Sequence, residues 1–149
     1  MDALSPDAMR SLVEDLIPFN RFLGVRLESV DREAGHLDTR LELRPEFVGN
    51  ALRDMPHGGV VSALIDATAG AAAALSLEDL SLADRVATID MRVDYLRPAP
   101  EADLVATATV SLLGNRVGNA HVLVHAATDL EHAVAEGRGV YNIRRQRKS

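Results

Sequence analysis

Apolar residues at Met9, Leu12, Val13, Leu16 and Ile17 recur at helical spacing. Ser5-Pro6-Asp7 ahead of them reads as a helix start, with Pro6 at the first helical position, and Pro18 stops the run. Two extended segments follow. Val25 to Val30 leads through Asp31-Arg32-Glu33-Ala34-Gly35 into Leu37, Thr39, Leu41 and Leu43, a period-two pattern that Pro45 ends, so this stretch predicts a hairpin. Residues 46–56, EFVGNALRDMP, carry neither period and read as a connection.

From Gly58 to about Leu75 the pattern predicts a helix that is apolar on nearly every face, hence one buried on all sides. At ~1.5 Å per residue it is roughly 25–28 Å long. After a polar break at Glu78 to Asp84 the chain turns to strands. Ala87, Ile89, Met91, Val93 and Tyr95 alternate with Thr88, Asp90, Arg92 and Asp94, until Pro98 and Pro100. Leu104 to Leu113 is the next strand, closed by Gly114-Asn115. His121 to Leu130 and Ala133 to Ile143 are two more, joined by a turn near Glu131. The expected architecture is α+β. An antiparallel sheet wraps one long central helix in a single domain over residues 1–149, with an N-terminal helix over 1–17 and a basic tail over 144–149. Two helices on one flat face would leave half of the long helix in solvent, and it has no polar side to offer.

Composition sharpens this picture. Alanine supplies 22 of the 149 residues, and Ala63, Ala67, Ala69 and Ala71 to Ala74 make the long helix thin enough for other elements to approach. The absence of cysteine excludes thiolate metal sites, disulfides and a cysteine nucleophile. A net charge of -6 argues against a nucleic-acid partner. The acidic amino terminus lacks an export signal, and the longest apolar stretch is interrupted by Ser62, Asp66 and Thr68. A cytoplasmic chain without a membrane partner is therefore expected. His121 and His125 stand four apart, but in a strand that spacing is roughly 13 Å, so no shared metal is expected.

Asp66 is the anomaly of the long helix, because an unpaired buried carboxylate is costly. It hydrogen-bonds to Ser62 one turn earlier, faces a wet rim, or is kept as a catalytic acid. The second feature is Pro56-His57-Gly58-Gly59, directly before the helix. Free amides at a helix start, unshielded by side chains, can receive a carbonyl oxygen; the alternative is a tight turn capped by His57. Asp66 follows His57 by nine residues, which is half a turn off and roughly 13 Å of rise. The two cannot converge from one helix, so a shared site requires a second copy of the chain.

PFNRFLGVRLE, then FVGN, PHGGVVSALIDATAGAAAA and ATIDMRVDYLRPA, resemble in order and spacing the hotdog-fold acyl-CoA thioesterases of the PaaI-like, phenylacetate-pathway type over roughly residues 18–143. The resemblance implies hydrolysis of an acyl-CoA thioester by dimers that usually pair into tetramers, with coenzyme A as part of the substrate and no separate cofactor. It implies Asp66 as the catalytic carboxylate and Gly59, with Gly58, as the amide donors to the carbonyl. His57 orients the loop, Asn50 helps place the water or thioester, and Thr88 faces the same water. Asn50 stands seven residues before the histidine, whereas many members have six.

The first 143 residues carry -10, so attraction to the phosphates of coenzyme A must be local. Arg97, Arg116 and the basic tail are the candidates, beside the plain alternative of solvated surface charges. Pro18-Phe19-Asn20 and Phe22-Leu23-Gly24 either line an acyl pocket or anchor the first helix. A hotdog protein that binds acyl-CoA without hydrolysing it, and a hydratase or dehydratase on the same scaffold, are the competing readings.

Overall fold

The long helix forms where the pattern places it. In the computed structural model, which describes residues 5–77 and 80–143, α3 runs Gly58–Ala74. It packs against the face of a six-stranded antiparallel sheet ordered β1-β2-β6-β7-β8-β5. Those strands are β1 (Arg26–Asp31), β2 (His36–Leu41), β5 (Ala87–Tyr95), β6 (Leu104–Leu113), β7 (Val117–Ala126) and β8 (Asp129–Asn142). A short ladder of β3 (Val48–Asn50) with β4 (Met55–Pro56) leads into α3. The fold is α+β, a sheet with the central helix against it.

Leu64, Ile65, Ala69 and Ala72 are fully buried between α3 and the sheet. Burying a leucine or isoleucine side chain is worth about 1.5–3 kcal/mol, and the alanines bring the helix close enough for that contact to be made. Thr68 is also buried; its hydroxyl meets that of Thr39 at 2.7 Å and donates to the Leu64 carbonyl. The other flank of the helix, with Ala63, Asp66, Ala67 and Gly70, is only half-buried. The expectation of burial on all sides therefore holds on the sheet-facing side and fails on this flank.

The amino-terminal region differs from its prediction. Ser5 caps α1 (Pro6–Ser11) through the Ala8 N–H, but the helix then widens into a π turn over Leu12–Leu16. Ile17 is extended, as a residue before proline tends to be, and Pro18 opens a second helix, α2 (Pro18–Leu23). Gly24 ends it at φ 76°. Proline at the start and glycine past the end are the signals from which α2 could have been read. The turn between β7 and β8 lies at Ala127-Thr128, ahead of the expected site near Glu131.

Strand β5 carries the deviation that matters most for the site. Its register with β8 pairs Tyr95 with Ala135, Val93 with Gly137 and Met91 with Gly139, then breaks between Thr88 and Asp90. Strict alternation would turn Ile89 to the face of Met91. The bulge instead sets Thr88 opposite the buried Tyr141 and leaves Ile89 58% exposed.

Candidate active site

Asp66 receives two side-chain hydrogen bonds on one oxygen. The Thr88 hydroxyl donates to Oδ1 at 2.9 Å, and the Tyr141 hydroxyl donates to the same Oδ1 at 2.8 Å and to the Asp66 carbonyl at 3.2 Å. Oδ2 accepts nothing among the described residues. Ser62, the partner weighed from the sequence, donates to the Gly59 carbonyl instead. Burial, then the Asp66 charge and the hydrogen bond to it, hold the Tyr141 phenol well above its ordinary pKa, so it stays a donor.

This carboxylate opens on a cavity of about 550 Å³. Leu12, Leu16, Ile17 and Phe19 form one wall; Ala63, Ala67, Gly70, Ala71 and Ala74 form another. Phe19 therefore lines the pocket, whereas Phe22 stacks on it from outside, 67% exposed and beside Arg44. Asn20 also lines the cavity; it is buried, and its Nδ2 has no partner among the described residues.

At the start of α3, His57 is the N-cap. Its Nδ1 accepts the Gly59 N–H at 2.8 Å, which makes the ring the Nε2–H tautomer. Gly59, the leading amide donor from the sequence, is thus engaged within its own loop. The Gly58 N–H is the one without a partner among the described residues, and the Tyr95 hydroxyl pins the Gly58 carbonyl at 2.7 Å. A Cβ at Gly49 would stand 2.6 Å from the His57 Cα, so only glycine lets β3 run this close to the cap.

Gly58 lines a different cavity of about 440 Å³, with Met55, Pro56, Tyr95, Arg97 and Val134. Within one chain Asp66 and the Gly58 loop are not brought together: α3 separates them by roughly 12 Å of rise, and they line separate cavities. Asn50 belongs to the His57 end, where its Oδ1 accepts the Leu52 N–H at 3.1 Å. Arg97 is at the Gly58 cavity. Arg116 is exposed at the β6–β7 turn, where its carbonyl accepts the Ile143 N–H, and lines neither cavity. The basic tail lies outside the described residues.

His121 is bonded to Glu136 at 2.7 Å, and no group of three metal-ligating side chains occurs among the described residues. Nor is any helix there long and apolar enough to cross a membrane. Sequence reasoning missed Tyr141 and the role of Tyr95; a buried tyrosine's need for a hydroxyl partner was the signal for Tyr141, whereas Tyr95 is 57% exposed.

A family model described as the thioesterase superfamily matches residues 56–133. The medium/long-chain acyl-CoA thioesterase YigI of Escherichia coli (strain K12) is 35% identical over 129 residues, covering 80% of this chain and 82% of that one. A Shewanella oneidensis protein related to the thioesterase superfamily has a crystal structure 27% identical to this chain, with a TM-score of 0.79 over 92% of this chain and 94% of that one. A phenylacetic acid degradation-related protein from Ralstonia eutropha JMP134 shares the fold, with a TM-score of 0.76 at 22% identity, covering 91% and 98% of the two chains.

Proposed function

Because this chain belongs to the thioesterase superfamily, we propose that it hydrolyses acyl-CoA thioesters to the free acid and coenzyme A, at sites each completed by two copies of the chain. The observation that carries this reading is a carboxylate with one oxygen tied and the other free, at the wall of an apolar cavity.

The acyl group enters the cavity between α3 and the amino-terminal helices, and its apolar lining excludes water from the chain. The thioester oxygen rests on the Gly58 N–H, where the α3 dipole adds positive character as charge develops in the tetrahedral intermediate. Asp66 Oδ2 either takes a proton from the attacking water or attacks the carbonyl itself; the thiolate of coenzyme A leaves and is protonated. In single turnover in ¹⁸O water, label in Asp66 identifies direct attack with the anhydride opened by water at the Asp66 Cγ, whereas the water-activated route labels only the product acid. Arg97, beside Gly58, is the candidate for the phosphates of coenzyme A.

A second copy is needed because Gly58 and Asp66 are far apart in one chain. Strand β5 is an edge strand, and Ile89, Asp90 and Arg92 on it are exposed. Antiparallel pairing of two such edges about Arg92, with the β5 bulge taking up one residue, sets Thr88 against the partner's Tyr95. The Asp66 end of one copy then meets the Gly58 end of the other, twice by symmetry.

The test is thiol release over a panel of acyl-CoAs of different length and aromaticity. Wild-type protein is expected to turn over members of the panel, and folded Asp66→Asn to lose on the order of a hundredfold or more in kcat. No release from any of them, with tight binding, identifies a non-hydrolytic acyl-CoA-binding protein instead.

A further inference from the structure

Strand β8 turns Ala135, Gly137, Gly139 and Tyr141 to α3. Two glycines in succession on the buried face of a central strand are costly, since each gives up packing and conformational entropy. Both are occupied by a neighbour. A Cβ at Gly137 would fall inside the Ile65 side chain, and one at Gly139 would overlap the Tyr141 ring. The first gap lets α3 settle onto the strand at the residue next to Asp66. The second lets the Tyr141 ring lie back along the sheet. On the opposite side the ring passes Gly70, where a Cβ would be 3.5 Å from its Cε1. Gly139 and Gly70 thus flank the Tyr141 ring on its two sides, in a slot whose end is the Asp66 carboxylate.

We infer that Tyr141 is a positioning residue for Asp66: with Thr88, its neighbour across the β5–β8 ladder, it holds Oδ1 and so fixes which oxygen, Oδ2, meets the substrate. A carboxylate on a flexible χ2 would present either oxygen and either face. Two donors arriving from adjacent strands select one orientation. The family match ends at residue 133, eight residues before Tyr141, so that likeness assigns it nothing. The inference rests on the hydrolytic reading above.

Tyr141→Phe keeps the ring in its slot and removes only the hydroxyl. A hydrogen bond to a charged group is worth about 1.5–3 kcal/mol, so kcat is expected to fall roughly tenfold to a hundredfold, with KM within about twofold. Thr88→Val is expected to do the same. The double variant should lose a clearly different amount from the product of the two single losses, because both hydroxyls serve one oxygen. Gly139→Ala should lower kcat in the wild-type background, by displacing the ring, and add little to Tyr141→Leu. A tyrosine that merely packs predicts the opposite: a lower Tm for Tyr141→Phe with kcat unchanged, which overturns the inference. Strictly multiplicative losses at Thr88 and Tyr141 overturn it as well. If the wild-type chain releases no thiol, the hydrolytic reading falls and this inference with it. Wild-type turnover with an unimpaired Tyr141→Phe overturns this inference alone.

Discussion

The Tyr95 hydroxyl holds the Gly58 carbonyl at 2.7 Å, seven residues along β5 from Thr88, which holds Asp66. Strand β5 thus supports both halves of the proposed site, separated by roughly 23 Å of strand. Tyr95 and Tyr141 are the two tyrosines of the chain, and each hydroxyl secures one half.

Two-chain assembly is tested by complementation. Gly58→Pro deletes the proposed donor N–H at a helix position where proline is tolerated, and His57 already has the extended ψ of 136° that precedes proline. Alone, it should cost on the order of a hundredfold or more in kcat. Mixed, unfolded and refolded with Asp66→Asn, the two inactive chains should regain about a quarter of the wild-type sites, because half of the dimers are mixed and each restores one site of two. Two inactive chains that stay inactive when mixed point to a site built within one copy.

In the proposed reading the cavity wall sets which acyl groups are accepted. Ala67 stands one residue past Asp66 on α3 and is only half-buried, facing the cavity. Ala67→Leu fills part of that space without touching either hydroxyl on Asp66. Since each lost methylene contact is worth about 1–3 kcal/mol, kcat/KM should fall tenfold or more for the longest acyl chains bound and change little for the shortest. A uniform loss across the panel would place the acyl chain elsewhere.

Acid stability has a separate origin. Asp103 is held below the usual carboxylate range, first by the hydrogen bond from Arg40 and then by the Leu43 N–H. A depressed folded-state pKa contributes stability that is present above the unfolded value near 3.8 and is lost as pH falls through the folded value. Asp103→Asn should therefore lower Tm at pH 7. The gap to wild type should narrow as pH falls below about 4, where the unfolded carboxylate takes up a proton, and reach its minimum once pH has passed below the depressed folded value. A gap that is constant with pH would mean packing at β2–β6, not the charge, is responsible.

Much was legible without coordinates because it depends on local pattern. An alanine-rich run without a polar face has to be an interior helix, and α3 is bounded almost where Gly58 and Leu75 suggest. Period-two alternation likewise recovers β5 and β6 to the residue. Asp66 stands out because a charge in such a run demands a reason, and the helical count from His57 already separates the two candidate groups. The π turn at Leu12–Leu16 and helix α2 were less visible, since Pro18 reads as a stop as readily as a start.

Three decisions belong to the tertiary structure alone. Periodicity turns Ile89 inward and Thr88 outward; one unpaired residue in the β5–β8 ladder reverses them, and no local propensity encodes that bulge. Which amide is free at the HGG loop depends on the His57 rotamer, which spends the Gly59 N–H and leaves that of Gly58. The tie between Tyr141 and Asp66 joins positions 75 residues apart through a slot flanked by Gly70 and Gly139. The sequence by itself determined the elements, the buried helix and its one charged residue, because burial and period act over neighbouring positions. Register, rotamer and long-range clearance decided how that charge is held, because they exist only once the sheet has closed on the helix.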